Sequence, residues 1–185
     1  MSLKSIPCII LSLTLSLVSN ASIAESNKEK DFIAKKKDYE FLIGNWSCEW
    51  QKLDANGDVK NRANCQWDGR YTFNGNMVQD DFRMFNPQGD LVYAGTTLRS
   101  FSPQIEQWKH TYLAVMGGPS FEDFIGDKID DEIHLSATRK SIDGQETFMK
   151  IRFHSINKNS FRWESHTSTD KKVWTLDSRI ISNRR

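Results

Sequence analysis

The sequence lacks the short motifs that mark the common catalytic folds. It has no Gly-x-Ser-x-Gly nucleophile elbow, no Gly-x-x-x-x-Gly-Lys phosphate loop and no Gly-x-Gly-x-x-Gly dinucleotide fingerprint. Its four histidines are His110, His134, His154 and His166, and no two of them have the spacing of a His-x-His or His-Glu-x-x-His metal pair. The sequence therefore predicts no metal site and leans against an enzyme.

An excess of charge of either sign is also missing. Without its first 24 residues, the chain would carry 24 basic and 24 acidic side chains and have no net charge. Nucleic-acid-binding domains usually show a clear basic excess, so we expect no nucleic-acid partner. Beyond residue 24 no apolar run approaches the length needed to cross a bilayer, so we expect no membrane span in the mature chain.

The first 24 residues have the pattern of a secretory signal peptide. Met1–Lys4 is short and positive, Ile6–Val18 is mostly apolar, and Ser22-Ile23-Ala24 forms a small-x-Ala cleavage signal. An uncleaved membrane anchor is the alternative, but the apolar stretch is short for a span. We expect cleavage after residue 24, a periplasmic or secreted location, and a single domain formed by residues 25–185.

Only two cysteines would remain in the mature chain, and their spacing predicts a disulfide. Asn56-Gly57 is a strong signal for a two-residue hairpin turn. In a hairpin centred on that turn, Cys48 and Cys65 occupy directly opposed positions. Opposed positions without ladder hydrogen bonds have Cα atoms about 4.5 Å apart, which a disulfide can span. The alternative is two free, buried thiols.

Apolar residues alternate with polar ones along most of the chain, and Gly, Pro, Asn and Asp interrupt the alternation at regular intervals. This pattern predicts an all-β fold, a closed antiparallel up-and-down β-barrel of about 8–10 strands, after a short N-terminal helix within 27–42. A two-sheet sandwich is the alternative, although it would require longer crossover connections. The predicted strands are 45–53, 62–73, 76–86, 91–101, 105–115, 120–126, 131–139, 145–155, 159–168 and 172–182.

Two of these strands, the fourth and the fifth, mix aromatic and polar side chains on one face, and the ninth strand places Trp163 on one face with Phe161 and Ser165. Alternation places Tyr93 and Arg99 on one face of the fourth strand, and it places Trp108, His110 and Tyr112 on one face of the fifth. A largely apolar wall with a few polar groups is typical of a ligand cavity. The alternative is that the polar groups face solvent. The predicted ligand-binding residues are Tyr93, Arg99, Trp108, His110, Tyr112 and Trp163.

The entrance to the first strand carries a family resemblance. Gly44-Asn45-Trp46, followed by antiparallel strands and by Arg179 on the last strand, resembles the calycin superfamily of lipocalin-like barrels. The resemblance implies structural roles for Gly44 and Trp46, with the last-strand arginine stacked over the Trp46 indole, a cation–π contact.

The resemblance extends along most of residues 38–182. The segments 38–46, 82–89 and 98–103, with Trp108 after them, are similar to the bacterial lipocalin-like family labelled DUF1579. That family has no agreed activity, so it implies a fold and no reaction.

Three functions are compatible with such a barrel. The first is a binding protein for a small hydrophobic molecule, or for an amphipathic one, with Arg99, His110 or Tyr112 orienting its polar end. The second is an enzyme centred on His110, either haem-dependent or an acid/base isomerase. The third is an envelope interaction protein whose barrel is filled by side chains. We expect no cofactor, with haem as the one alternative.

Overall fold

Ten antiparallel strands close into a single barrel in the computed structural model, which describes residues 35–116, 120–141 and 143–185. Each strand pairs with its neighbours in sequence, and the first strand pairs with the tenth. The predicted up-and-down barrel is confirmed, and the sandwich alternative is wrong. The strands are β1 (Gly44–Leu53), β2 (Val59–Thr72), β3 (Met77–Phe85), β4 (Leu91–Ser102), β5 (Gln107–Ala114), β6 (Ser120–Ile129), β7 (Glu132–Lys140), β8 (Glu146–His154), β9 (Ser160–Ser168) and β10 (Thr175–Arg184).

The first hairpin has the predicted pairing but a different turn. Cys48 lies opposite Cys65 and forms the predicted disulfide, with Cα atoms 4.8 Å apart. The predicted two-residue turn is wrong, because the backbone of Asp54 hydrogen-bonds Asp58 around a three-residue loop in which Gly57 has a φ of +87°. A bulge after Val59 then shifts the register by one residue and restores the predicted pairing.

A short 3₁₀ helix, Lys36–Leu42, closes one end of the barrel. It buries Tyr39 and Leu42 completely, and the indole nitrogen of Trp46 donates a hydrogen bond of 3.1 Å to the Leu42 carbonyl. The helix therefore acts as a plug anchored to β1. The earlier part of the helix predicted within 27–42, and the whole signal peptide predicted at 1–24, lie outside the described residues.

The arginine that covers the Trp46 indole is Arg184. Its guanidinium carbon lies 4.1 Å from the centroid of the indole, and Arg184 pairs directly with Trp46 between β10 and β1. The prediction that Arg179 makes this contact is wrong. Arg179 is five residues away, so it faces the other side of the strand, where its Nε donates to Gln51. Gly44, at a φ of +117°, leaves room for Arg184, since a Cβ there would lie 2.5 Å from Nη1.

The barrel wall has a gap between β6 and β7. The two strands pair from Ile129 opposite Glu132 as far as Ile125 opposite Ser136. Among the described residues beyond that point, 120–124 pair only with β5 and 137–140 only with β8. We call this gap, bounded by 120–124 and 137–140, the lateral notch. It runs toward the barrel end opposite the plug.

In the part of the chain that the structure describes, no helix has both the length and the apolar character required to cross a lipid bilayer.

Candidate functional site

The barrel encloses a cavity of about 300 Å³ above the plug. This volume is at the lower end of the range of small-molecule sites, about 300–1,000 Å³. Its walls are mostly apolar and come from all ten strands, because each strand directs alternate side chains inward. The apolar and aromatic residues that line it are Trp50, Trp67, Phe82, Met84, Tyr93, Tyr112, Phe124, Leu135, Met149, Ile151, Phe153, Trp163 and Ile180.

Five of the six predicted ligand-binding residues line this cavity, and one does not. The five are Tyr93, Arg99, His110, Tyr112 and Trp163.

Trp108 is the exception. It faces inward, as the alternation predicts, but it lies one pleat nearer the plug than His110, below the cavity. Its ring packs edge-on against Tyr39, and its indole nitrogen donates a hydrogen bond of 3.1 Å to Asp38. The prediction of Trp108 as a cavity residue is therefore wrong.

A buried ion pair forms one part of the cavity wall. Arg99 on β4 is paired with Asp80 on β3, and both side chains are almost completely buried. The second oxygen of Asp80 accepts a hydrogen bond from the Trp67 indole. Burial lowers the pKa of Arg99 to about 10, so the guanidinium keeps its charge at neutral pH.

Asp80 is a cavity residue that the sequence reasoning missed. Val78, Asp80 and Phe82 alternate on β3, and all three are buried. The sequence could have revealed this position, because a residue that alternates with two inward-facing apolar residues along a strand must itself face the core. A buried carboxylate requires a charged or hydrogen-bonding partner, and Arg99 on the adjacent strand supplies it.

His110 connects the cavity to the plug. Its Nε2 lies 3.1 Å from the Tyr39 hydroxyl, and that hydroxyl oxygen also accepts a hydrogen bond from Arg99. We therefore infer that the Tyr39 O–H donates to Nε2, which leaves the proton of the neutral imidazole on Nδ1. Burial, and then the charge of Arg99, hold the pKa of His110 well below 6.5. His110 is thus neutral at pH 7.

Two polar residues of the cavity, Arg99 and His110, have unused hydrogen-bonding capacity. His110 Nδ1 and Arg99 Nε are buried and make no hydrogen bond within the described residues. An unpaired buried donor costs about 1–3 kcal/mol. A ligand atom that accepts hydrogen bonds would therefore be stabilised next to these two side chains.

Two tyrosines line the cavity on the side of the open end. The hydroxyls of Tyr93 and Tyr112 hydrogen-bond each other across β4 and β5. Burial raises the pKa of Tyr112, and its hydrogen bond with Tyr93 raises the pKa further. The Tyr112 ring lies over Gly95, where a Cβ would approach its hydroxyl to 2.2 Å. Glycine at position 95 therefore allows this ring position.

Within the ranges 35–116, 120–141 and 143–185, no three histidine, cysteine or acidic side chains come together in a way that could hold a metal ion. The His110 ring offers Nδ1 alone as a free nitrogen, because Nε2 is bonded to Tyr39.

The barrel is similar in fold to a solved structure, Rv2717c from M. tuberculosis. The two superpose with a TM-score of 0.56 at 8% sequence identity, covering 80% of this chain and 96% of that one. A candidate lipoprotein from Parabacteroides distasonis gives a TM-score of 0.34 at 13% identity, covering 78% of this chain and 97% of that one, which is too low to support an argument. No protein-family model and no curated protein matches the sequence. The likeness thus shows a shared barrel fold alone, while the resemblance to the lipocalin-like barrels and membership of the DUF1579 family stay predictions.

Proposed function

We propose that this protein binds a small hydrophobic or amphipathic molecule inside the barrel. The observation that carries the proposal is the 300 Å³ cavity, in which an aromatic wall surrounds Arg99 and His110, each with a buried nitrogen that lacks a hydrogen-bond partner. Burial of the apolar part of the ligand would supply most of the affinity. The two polar residues would fix the orientation of one end.

The polar end of the ligand is a hydrogen-bond acceptor. The proton on His110 Nδ1 and the N–H of Arg99 Nε are both donors. The charge of Arg99 is balanced by Asp80, so the site does not require a full negative charge. A carboxylate, an amide oxygen or a ketone would each satisfy both donors.

We further propose that the protein works outside the cytoplasm. The Cys48–Cys65 disulfide supports an oxidising compartment, because structural disulfides are rare in the cytosol. Export also agrees with the signal peptide predicted for residues 1–24.

The proposal can be tested with three ligands that share one apolar body: 4-butylbenzoic acid, 4-butylbenzamide and 4-butyltoluene. We expect the acid and the amide to quench tryptophan fluorescence saturably and to bind at least about tenfold more tightly than the hydrocarbon, since a hydrogen bond to a charged group contributes about 1.5–3 kcal/mol. In His110→Leu this preference should decrease sharply. Native mass spectrometry of protein purified from the periplasm would detect a ligand already bound.

Absence of saturable quenching by all three compounds, together with a bare chain in native mass spectra, would overturn the proposal. A filled barrel that acts through its surface would then be the better explanation. Loss of binding in both His110→Leu and Thr97→Val would point to general disruption, because Thr97 lines the same cavity but makes no hydrogen bond to His110.

An enzyme on the same barrel is a second candidate, and the free Nδ1 of a neutral His110 favours it. A neutral imidazole beside a charged guanidinium can exchange protons with a bound substrate. Haem ligation would require Nδ1, or loss of the Tyr39 bond to free Nε2. A Soret band in the purified protein that disappears in His110→Ala would establish the haem alternative.

A further inference from the structure

A groove of about 780 Å³ crosses the outer wall of the barrel over the lateral notch. Its sides are formed by outward-facing residues of β5 to β8 and by the segment that follows β9. His110, Phe124 and Met149 line both this groove and the inner cavity. The groove and the cavity therefore meet at these shared side chains, beside the stretch where β6 and β7 are not hydrogen-bonded to each other.

The groove carries a positive charge. Lys109, Lys150 and Lys171 line it, and of the described residues along it Asp123 is the one carboxylate. The excess is two positive charges in one groove, whereas the full chain has a net charge of only +1. Asp123 is in addition hydrogen-bonded to Thr111 at 2.7 Å.

Aromatic rings place two of these lysines over the groove. The ammonium of Lys150 lies 4.0 Å from the Trp174 ring centroid, and that of Lys171 lies 4.1 Å from the Phe148 centroid. Each contact holds a flexible side chain near an apolar surface. The groove thus combines cations with half-buried aromatic rings, which suits a molecule that has an anionic group and an apolar body.

One ion pair crosses the notch near the open end. Glu122 on β6 and Arg139 on β7 face inward, line the cavity and pair with each other. A side-chain ion pair exchanges far more readily than a backbone ladder, so this part of the wall can be separated at a small free-energy cost.

We propose that the groove over the notch is the access site of the cavity, and that the ligand is an anionic amphiphile that enters between β6 and β7. This inference rests on the proposed function. The lysines attract the anionic group, and the apolar body passes Phe124 into the cavity. The acceptor group then reaches His110 and Arg99.

The attraction of an anionic ligand by the groove lysines can be tested with two fluorescent probes that share a ring system. They are the anionic 1-anilinonaphthalene-8-sulfonate and the neutral N-phenyl-1-naphthylamine. In stopped-flow experiments at low salt, we expect the sulfonate to associate about tenfold more slowly with Lys109→Gln/Lys150→Gln/Lys171→Gln than with the wild type. High salt should abolish this difference. The neutral probe should associate equally fast with both proteins. Lys60→Gln/Lys158→Gln, which removes exposed lysines elsewhere, is the control.

The route can be tested by joining the two edges of the notch. Asp123→Cys/Thr138→Cys, joined with a short bis-maleimide, closes the notch and should slow association and dissociation of both probes. Ile129→Cys/Glu132→Cys, joined in the same way, links a pair of the same two strands outside the groove and should change neither rate. Removal of Asp123 makes the groove more positive, which should speed association of the sulfonate. Closure of the notch should slow it, so the two effects can be told apart.

The outcomes separate the two proposals. If both probes bind but neither the lysine variant nor the cross-link changes any rate, the ligand enters through the open end and the inference is wrong. If the lysine variant slows the neutral probe as much as the sulfonate, the anionic ligand class is wrong. If neither these probes nor the three butylbenzene ligands bind the wild type, the proposed function fails and the inference fails with it.

Discussion

Arg184, near the C-terminal end of β10, stacks on Trp46 at the start of β1 and donates hydrogen bonds of 3.0 and 3.2 Å to the carbonyls of Ile43 and Phe41. One side chain thus joins the last strand to the plug and to the first strand. Because no turn connects β1 to β10, this contact and the backbone ladder hold the barrel closed at that position.

Replacing Arg184 should destabilise the fold more than replacing Arg179, which lies on the opposite face of β10. We expect Arg184→Ala to lower the free energy of unfolding by about 2 kcal/mol, because a cation–π contact and hydrogen bonds to carbonyls are lost together. Arg179→Ala should cost less, about 1 kcal/mol, because it removes one hydrogen bond, to the buried Gln51. Urea unfolding followed by tryptophan fluorescence measures both. Equal effects would contradict the role assigned to Arg184.

The Arg99–Asp80 pair should behave as a buried unit. We expect Arg99→Met and Asp80→Leu each to cost about 3–5 kcal/mol, because each leaves an uncompensated charge in the interior. The double variant should cost clearly less than the two single changes combined. A thermodynamic cycle from chemical unfolding would measure the coupling, and strictly additive losses would show that the pair is not a unit.

His110 should make the fold less stable in mild acid. Its pKa is far below 6.5 in the folded protein, whereas the unfolded chain has the ordinary value. As the pH falls below about 6.5, the unfolded state binds a proton that the folded state does not, so stability decreases by up to about 1.4 kcal/mol per pH unit. The loss stops once the pH is below the pKa of the folded protein.

Comparison with His110→Gln isolates this contribution. The free energy of unfolding should be measured for both proteins between pH 7.5 and 5, and the wild type should lose more. His166, whose pKa is also lowered by burial, contributes in the same direction to both proteins and cancels. Parallel pH profiles for the two proteins would disprove the burial of a neutral His110.

The disulfide should contribute measurably to stability. Cys48 and Cys65 are 17 residues apart, and cross-links that close loops of this length typically contribute about 3 kcal/mol by restricting the unfolded chain. Cys48→Ala/Cys65→Ala should therefore unfold at a lower urea concentration. Reductant should lower the midpoint of the wild type but not that of the double variant, and a shift in both would indicate a different cause.

The sequence was sufficient to predict the strands and the inward faces because both depend on local patterns. Alternation placed Arg99 and His110 on cavity-facing positions, and Asn56-Gly57 located the first turn. Alternation gives the face of a residue but not its depth along the barrel, and so Trp108 was predicted as a cavity residue when it lies below the cavity.

The remaining errors concern relationships between strands that are distant in sequence. The register of β10 on β1 is not set by a hairpin turn, so nothing local distinguished Arg184 from Arg179 as the partner of Trp46. The lateral notch is likewise not encoded in either strand alone. It depends on how far two ladders continue before the strands separate, which is a property of the whole barrel.

The pairing of β1 with β10 has a consequence for the order of folding. Contacts between strands at opposite ends of a chain carry the largest loop-closure entropy, so they form late, while hairpins such as β1–β2 form early. During folding, one edge of β1 therefore stays unpaired until β10 pairs with it. An edge of this kind can pair with strands of other molecules, so the slow pairing of β10 with β1 is the step at which a folding chain is most exposed to misassembly.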